Sequence, residues 1–232
     1  MLEVDGLCVS YGAVVALSDV SFSARSGDTI AVLGANGAGK SSLLRAISGL
    51  APVRAGSIRI AGEDVTAATP QARARLGLAH AMEGRRLFRQ MSVEENLRLA
   101  WNFGGRQTPL PSALAEVFDR FPILAEKRRV PAGLLSGGQQ QMVILSCTTI
   151  RRPRLLLLDE PSLGLAPIIV SQIYAFIGDF ARESGATIVV SEQMAAIALR
   201  VADHGLALRR GKVAMAGRSA DLSVGGLAAA YL

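Results

Sequence analysis

The chain predicts an α/β fold, a largely parallel sheet covered by helices, and three observations carry that prediction. Half of its 232 residues are hydrophobic but only 5% are aromatic, with Gly and Ala plentiful, a composition suited to close helix–sheet packing rather than a β-sandwich. The stretch "GDTIAVLG" reads as a buried strand that enters a glycine-rich loop and then an amphipathic helix. Four consecutive leucines, Leu155 to Leu158, have the unbroken apolar character of a strand covered on both faces.

The elements follow in order. Residues 2–10 and 18–25 alternate apolar and polar side chains, which predicts antiparallel strands. "GKSSLLRAISGL" sets Leu43, Leu44, Ile47 and Leu50 on one helical face and closes on Gly49 and Pro52. "GSIRIAGEDV" predicts a short strand and turn, Gln71–Leu76 a brief helix, and "LGLAHAME" another strand. From about Ser92 to Ile150 the pattern is helical and interrupted: Ser92 and Glu95 make a capping box, "GGRQTPLPS" breaks the chain, and a long helix starts after Gly137. The last eighty or so residues return to strand–helix alternation through "RLLLLDE", "APIIVSQIYAFIGDFARE", "ATIVVSE", "MAAIALRVA" and "HGLALRRG". With no repeat, low-complexity tract or long linker, a single domain over 1–232 is expected, its helical part at about 89–150 inserted in the α/β core.

Composition excludes several classes. Cys8 and Cys147 share no metal-ligand spacing and read as free thiols, and His80 and His204 are too few and scattered for a structural zinc site. The N-terminal stretch has an early acid and no apolar core of signal-peptide length, and no window reaches the length of a membrane span. Net charge is +6, yet "EGRRLFR" and "EKRRV" are short and carry acids beside the arginines. No nucleic-acid partner is therefore expected.

Two motifs point to phosphate chemistry. Gly34, Ala35, Asn36, Gly37, Ala38, Gly39, Lys40 and Ser41 form a phosphate loop in its proper context, with Ser42 following. Small residues let backbone N–H groups turn inward, the helix N-terminus adds partial positive charge, Lys40 would reach the β- and γ-phosphates, and Ser41 would ligate Mg²⁺. Asp159 and Glu160 end the leucine strand, where two unpaired buried acids would be costly. Asp159 can hold a Mg²⁺-bound water and Glu160 can take a proton from an attacking water. A third stretch, "LSGGQ" at Leu135–Gln139, has no strand before it and no lysine. Ser136, Gly137 and Gly138 nonetheless open a helix with N–H groups and a hydroxyl, so they are expected to meet the γ-phosphate held by another subunit, two chains packing head to tail; the alternative is that Ser136 only caps its helix.

With these residues in place the sequence resembles an ABC-transporter ATPase subunit over essentially its whole length, "LSGGQ" matching that family's signature. The resemblance implies a P-loop NTPase of ABC type: a RecA-like core, an antiparallel β subdomain and a helical signature subdomain. It implies that Tyr11 stacks on adenine, that Gln139 belongs to the ATP site, and that Ser162 and Leu163 of "SLGL" lie in the loop that communicates across the dimer. Two positions depart from the usual pattern: Glu83 stands where a glutamine is usual and Gln193 where a switch histidine is usual. Together with "EGRR-F", "SLGLAP" and the ending "AYL", they resemble the smaller ATPase subunit of branched-chain amino-acid importers. A third departure, Cys147, Thr148 and Thr149 in place of Arg-Ala-Leu, puts a helix–core contact in doubt. The expected cofactors are ATP and Mg²⁺. The expected partners are two transmembrane permeases that dock on Arg85, Arg86, Leu87 and Phe88, a second ATPase subunit (a related chain or a second copy) and, indirectly, a periplasmic solute-binding protein. The expected place is the cytoplasmic face of the inner membrane. Alternatives left open are a subunit with weak hydrolysis serving a different solute, such as urea, an amide or an aromatic acid, and a soluble ABC ATPase.

Overall fold

A computed structural model describes residues 1–103 and 108–222. Part of the Gly/Pro-rich break, 104–107, and the "AYL" ending lie outside the described residues. The chain opens with strands β1 (Leu2–Tyr11) and β2 (Val14–Ala24), then β3 (Thr29–Leu33) and helix α1 (Lys40–Ile47). Strands β4 (Val53–Ile60) and β5 (Glu63–Asp64), helix α2 (Pro70–Arg75) and strand β6 (Leu78–Ala81) follow. Helices α3 (Val93–Asn102), α4 (Leu110–Arg120), α5 (Pro122–Glu126) and α6 (Gly137–Thr149) come next. The chain then runs through β7 (Leu155–Asp159), α7 (Pro167–Ser184), β8 (Thr187–Glu192), α8 (Ala195–Ala198), β9 (His204–Arg209) and β10 (Lys212–Arg218).

Among the described residues the strands form two sheets. One is antiparallel in the order β2-β1-β4-β5; the other runs β10-β9-β3-β8-β7-β6, parallel throughout except for β10. The period-two alternation of a strand explains the leucine run: Leu155 and Leu157 face a core shared with the antiparallel sheet, whereas Leu156 and Leu158 face the helices. Between the sheets lies α1, its Leu43, Leu44 and Ile47 fully buried. On the opposite face α3, α4, α6 and α7 contribute Leu97, Leu114, Val143 and Ile173. Trp101, the single tryptophan, packs against this second core and donates its indole N–H to the Thr108 carbonyl at 2.9 Å.

Two expectations need correction, and one strand was not foreseen. Leu50 does not share the buried face of α1: the helix ends at Ile47, the chain reverses at Gly49 with φ 77°, and Leu50 is exposed. The stretch "MAAIALRVA" gives only the four-residue α8. Strand β10 has no counterpart in the sequence reading: it lies at the sheet edge, and its residues alternate only between exposed and partly buried.

Candidate functional site

The loop 34–39 joins β3 to α1 and is held close to β2. Gly39, the N-cap of α1, has φ 111°, and a Cβ there would lie 2.7 Å from Leu17 Cδ2 and 2.9 Å from the Ala16 carbonyl oxygen, so only glycine fits. No side chain caps α1, which leaves its first amides available to an anion. Lys40 is buried and its ammonium is fully engaged: Nζ donates to the carbonyls of Gly34 at 2.8 Å and Ala35 at 3.1 Å and lies 3.0 Å from Glu160 Oε1.

At the end of β7 the two acids have different partners. Asp159 Oδ1 accepts from the Ser41 hydroxyl at 3.0 Å and from the Ser191 hydroxyl at 2.6 Å. Glu160 adopts φ 47°, a left-handed conformation that costs a non-glycine residue on the order of 1–2 kcal/mol. Its amide donates to the Ser191 carbonyl at 3.1 Å and contacts the Ser191 hydroxyl oxygen at 3.2 Å, which holds that turn. Buried Lys40 and Asp159 and partly buried Ser41 and Glu160 therefore form one cluster, an arrangement of cation, hydroxyl and two carboxylates suited to a polyphosphate and a hard metal ion.

At the head of α6, Ser136 is the N-cap. Its hydroxyl accepts from the Gln139 amide at 3.3 Å while Gln139 Oε1 accepts from the Ser136 amide at 3.1 Å, a capping box. The Arg85 guanidinium lies against Gly137: a Cβ there would sit 2.5 Å from a guanidinium nitrogen, which the end of that flexible side chain would have to vacate. The same guanidinium reaches the Gly164 carbonyl at 3.4 Å. Arg85 thus turns toward the loops of its own chain, and Leu87 packs on the core, leaving Arg86 and Phe88 as the exposed pair among the four expected to dock a permease. Glu83, Gly137, Asp159 and Glu160 line one cavity of about 640 Å³, to which the phosphate loop contributes no residue.

Thr148 and Thr149, two of the three departing residues, and Ser146 before them do not break α6. Ser146 and Thr149 donate to the carbonyls of Met142 and Leu145, both at 2.8 Å, and Thr148 reaches Ile144 and Leu145. Burial pushes the Cys147 thiol up to about 12. Tyr11 ends β1 with its side chain partly exposed, and Gln193 is exposed just past β8. Sequence reasoning passed over Ser191 and Glu192, both buried. The signal was there: two polar residues close the otherwise apolar run "TIVVSE" on a strand beside β7.

Comparison with known proteins gives a consistent result. The family model described as ABC transporter matches residues 17–163. The chain is 40% identical over 215 residues to the high-affinity branched-chain amino acid transport ATP-binding protein BraG of Pseudomonas aeruginosa, covering 93% of this chain and 91% of that protein. It is 32% identical over 222 residues to the probable branched-chain amino acid transport ATP-binding protein LivF of Archaeoglobus fulgidus, covering 96% and 94%. A solved structure of an ATP-binding subunit of an ABC transporter superposes with a TM-score of 0.86 at 29% identity, covering 99% of this chain and 98% of the other.

Proposed function

This chain belongs to the ABC transporter family and is an ATPase subunit of that kind, and from that premise we propose that it powers uptake of branched-chain or related amino acids. The similarity to two ATP-binding proteins named for branched-chain amino acid transport supports the solute class. Among the described residues no helix is long and apolar enough to cross a membrane, so in this reading transport runs through two permease subunits. The chain docks on them from the cytoplasmic face, with Phe88 and Arg86 in the contact. A second ATPase subunit packs head to tail with it, and a periplasmic solute-binding protein delivers the cargo.

The observation that carries the catalytic reading is the cluster of Lys40, Ser41, Asp159 and Glu160. The Ser41 hydroxyl and Asp159 carboxylate are hard oxygen donors, which fit Mg²⁺ with its remaining waters and phosphate oxygens. Bound there with ATP, the ion would neutralise charge on the β- and γ-phosphates. Tyr11 stacks on the adenine, residues 34–42 wrap the phosphates, and Glu83 and Gln193 border the γ-phosphate, Gln193 as a neutral donor. Ser136, Gly137, Gly138 and Gln139 close the site of the second subunit. Phosphate oxygens compete with Glu160 for the Lys40 ammonium, so nucleotide binding draws Lys40 off Glu160 and leaves that carboxylate to accept the proton of the attacking water.

Glu160→Gln keeps the size of the side chain and removes its basicity. Hydrolysis should fall by about 10²–10⁴-fold while ATP still binds. Near-normal phosphate release by the variant removes Glu160 from the base role. For the importer role, co-purification from gently solubilised membranes should bring down two polytopic permeases and a second ATPase, the complex to assay for solute; a chain that comes down alone, or with ribosomes or DNA, rejects the importer.

A further inference from the structure

Strand β8 ends in a buried carboxyl group that the hydrolysis scheme leaves unused. Glu192 is only 2% exposed. On Oε1 it accepts from the Tyr174 hydroxyl at 2.8 Å and from the Ser162 backbone N–H at 3.2 Å; on Oε2 it accepts from the Gln193 N–H at 3.3 Å. The three donors come from three places: Tyr174 from the middle of α7, Ser162 from the loop just after Glu160, and Gln193 from the turn leaving β8. Burial first, then the Glu192 charge and hydrogen bond and the charge of Glu160, hold the Tyr174 hydroxyl well above its ordinary range. Tyr174 therefore stays protonated and acts as a donor.

We propose that Glu192 is a positioning residue for ATP hydrolysis, locking the 162–164 loop and the Gln193 turn into one unit anchored on α7 by Tyr174. The packing argues for this. A cavity of about 550 Å³ borders the joint, lined by Leu163, Gly164, Tyr174, Glu192, Gln193 and Met194. Leu163 and Met194 are half exposed, so side-chain packing does not fix the loop on that side. The bond from the Ser162 N–H to Glu192 ties the start of the loop to β8, together with the Leu163–Glu160 and Leu165–Ser162 backbone turns and the Arg85 contact to Gly164. Ser191, one residue earlier, holds Asp159 and the Glu160 amide. Three consecutive residues, 191 to 193, thus set the metal-binding carboxylate, the base, the loop after it and the γ-phosphate contact in register. A shift of about 1 Å at a reacting centre can cost on the order of 100-fold in rate, which is the sensitivity such a joint would protect.

This inference rests on the reading of Glu160 as the base, so the test runs the two side by side on the full chain, with ATP titrations, direct ATP binding and melting curves for each variant. Glu192→Ala should lower kcat by about 10–100-fold with KM and ATP affinity little changed. Tyr174→Phe, which removes one hydroxyl, should lower kcat by about 3–10-fold. Glu192→Gln keeps an oxygen for Ser162 and Tyr174 and should recover most of the rate lost in Glu192→Ala. A folded Glu192→Ala with normal kcat overturns the proposal, as does a loss of activity that follows KM or the unfolded fraction. If Glu192→Ala does not fold, Tyr174→Phe decides, and an unchanged kcat in it overturns the proposal. If Glu160→Gln is dead while the Glu192 and Tyr174 variants turn over normally, only this inference fails; if Glu160→Gln hydrolyses at the normal rate, the reading beneath it fails and takes this one with it.

Discussion

His80 sits on β6 with its Nδ1 3.0 Å from the Ser48 hydroxyl, while Nε2 is buried with no hydrogen-bond partner among the described residues. Burial, reinforced by the charges of Arg45 and Arg86, pushes its pKa down to about 4. Unfolded, the same imidazole titrates near 6.5. The unfolded chain therefore binds the extra proton first: stability is full above about pH 6.5 and falls as the pH drops toward 4, by on the order of 2–3 kcal/mol in total. Urea denaturation at pH 7.5, 5.5 and 4.5 should show His80→Asn losing less stability than the wild type over that window; parallel losses would contradict the assignment. Other residues differ in how visible they are from the sequence. Lys40 and Ser41 are legible because their roles follow from fixed spacing along a few residues. Ser191 and Glu192 bond partners 32 and 30 residues away, and no local pattern announces such a pairing. Cys147 reads as a free thiol from spacing alone, but the rise in its pKa comes from its burial in the packing around α6.

Helix ends tell the same story one level up. The capping box at Ser92 follows from a four-residue pattern and forms; a second, from Ser136 to Gln139, forms where the sequence offered Ser136 as a cap only in the alternative reading. The stop of α1 at Gly49 follows from its sequence, but the side chain that ties its last carbonyls, Arg73 from α2, does not. This arginine is 2% exposed and donates to the carbonyls of Ala46 at 2.6 Å, Ile47 at 2.8 Å, Thr66 at 3.0 Å and Ala68 at 3.1 Å. In sequence it is one of two arginines in a short helix, indistinguishable from a solvated residue. Burial lowers its pKa, and the four carbonyl acceptors suit the fixed donor fork of a planar guanidinium. Arg73→Ala would strand these carbonyls and should cost about 2–4 kcal/mol. Ser136→Ala removes a cap and should cost about 1 kcal/mol. Thermal melts of the two variants check the order; an Arg73→Ala protein as stable as Ser136→Ala would mean that water replaces the guanidinium.

For the molecule as a whole, α1 is the element that both sheets share. Leu44 is fully buried in the core to which the antiparallel and the parallel strands both contribute. Leu44→Ala should therefore cost about 3–4 kcal/mol and weaken both sheets together, with unfolding still a single transition. Urea curves followed by far-UV circular dichroism and by tryptophan fluorescence should coincide; separate midpoints would show that the sheets come apart independently. The α/β class was legible because central parallel strands are apolar on both faces, as Leu155–Leu158 show. The corrections fell where tertiary contacts decide, at Leu50 and at the edge strand β10. Trp101 adds a practical property. As the only indole in the chain, docked on the helical side and tied to the Thr108 carbonyl, it is an intrinsic optical probe of that layer. Its emission maximum and quenching by iodide will register rearrangement of α3 and its neighbours on nucleotide addition, with no dye attached and no signal from a second tryptophan to subtract.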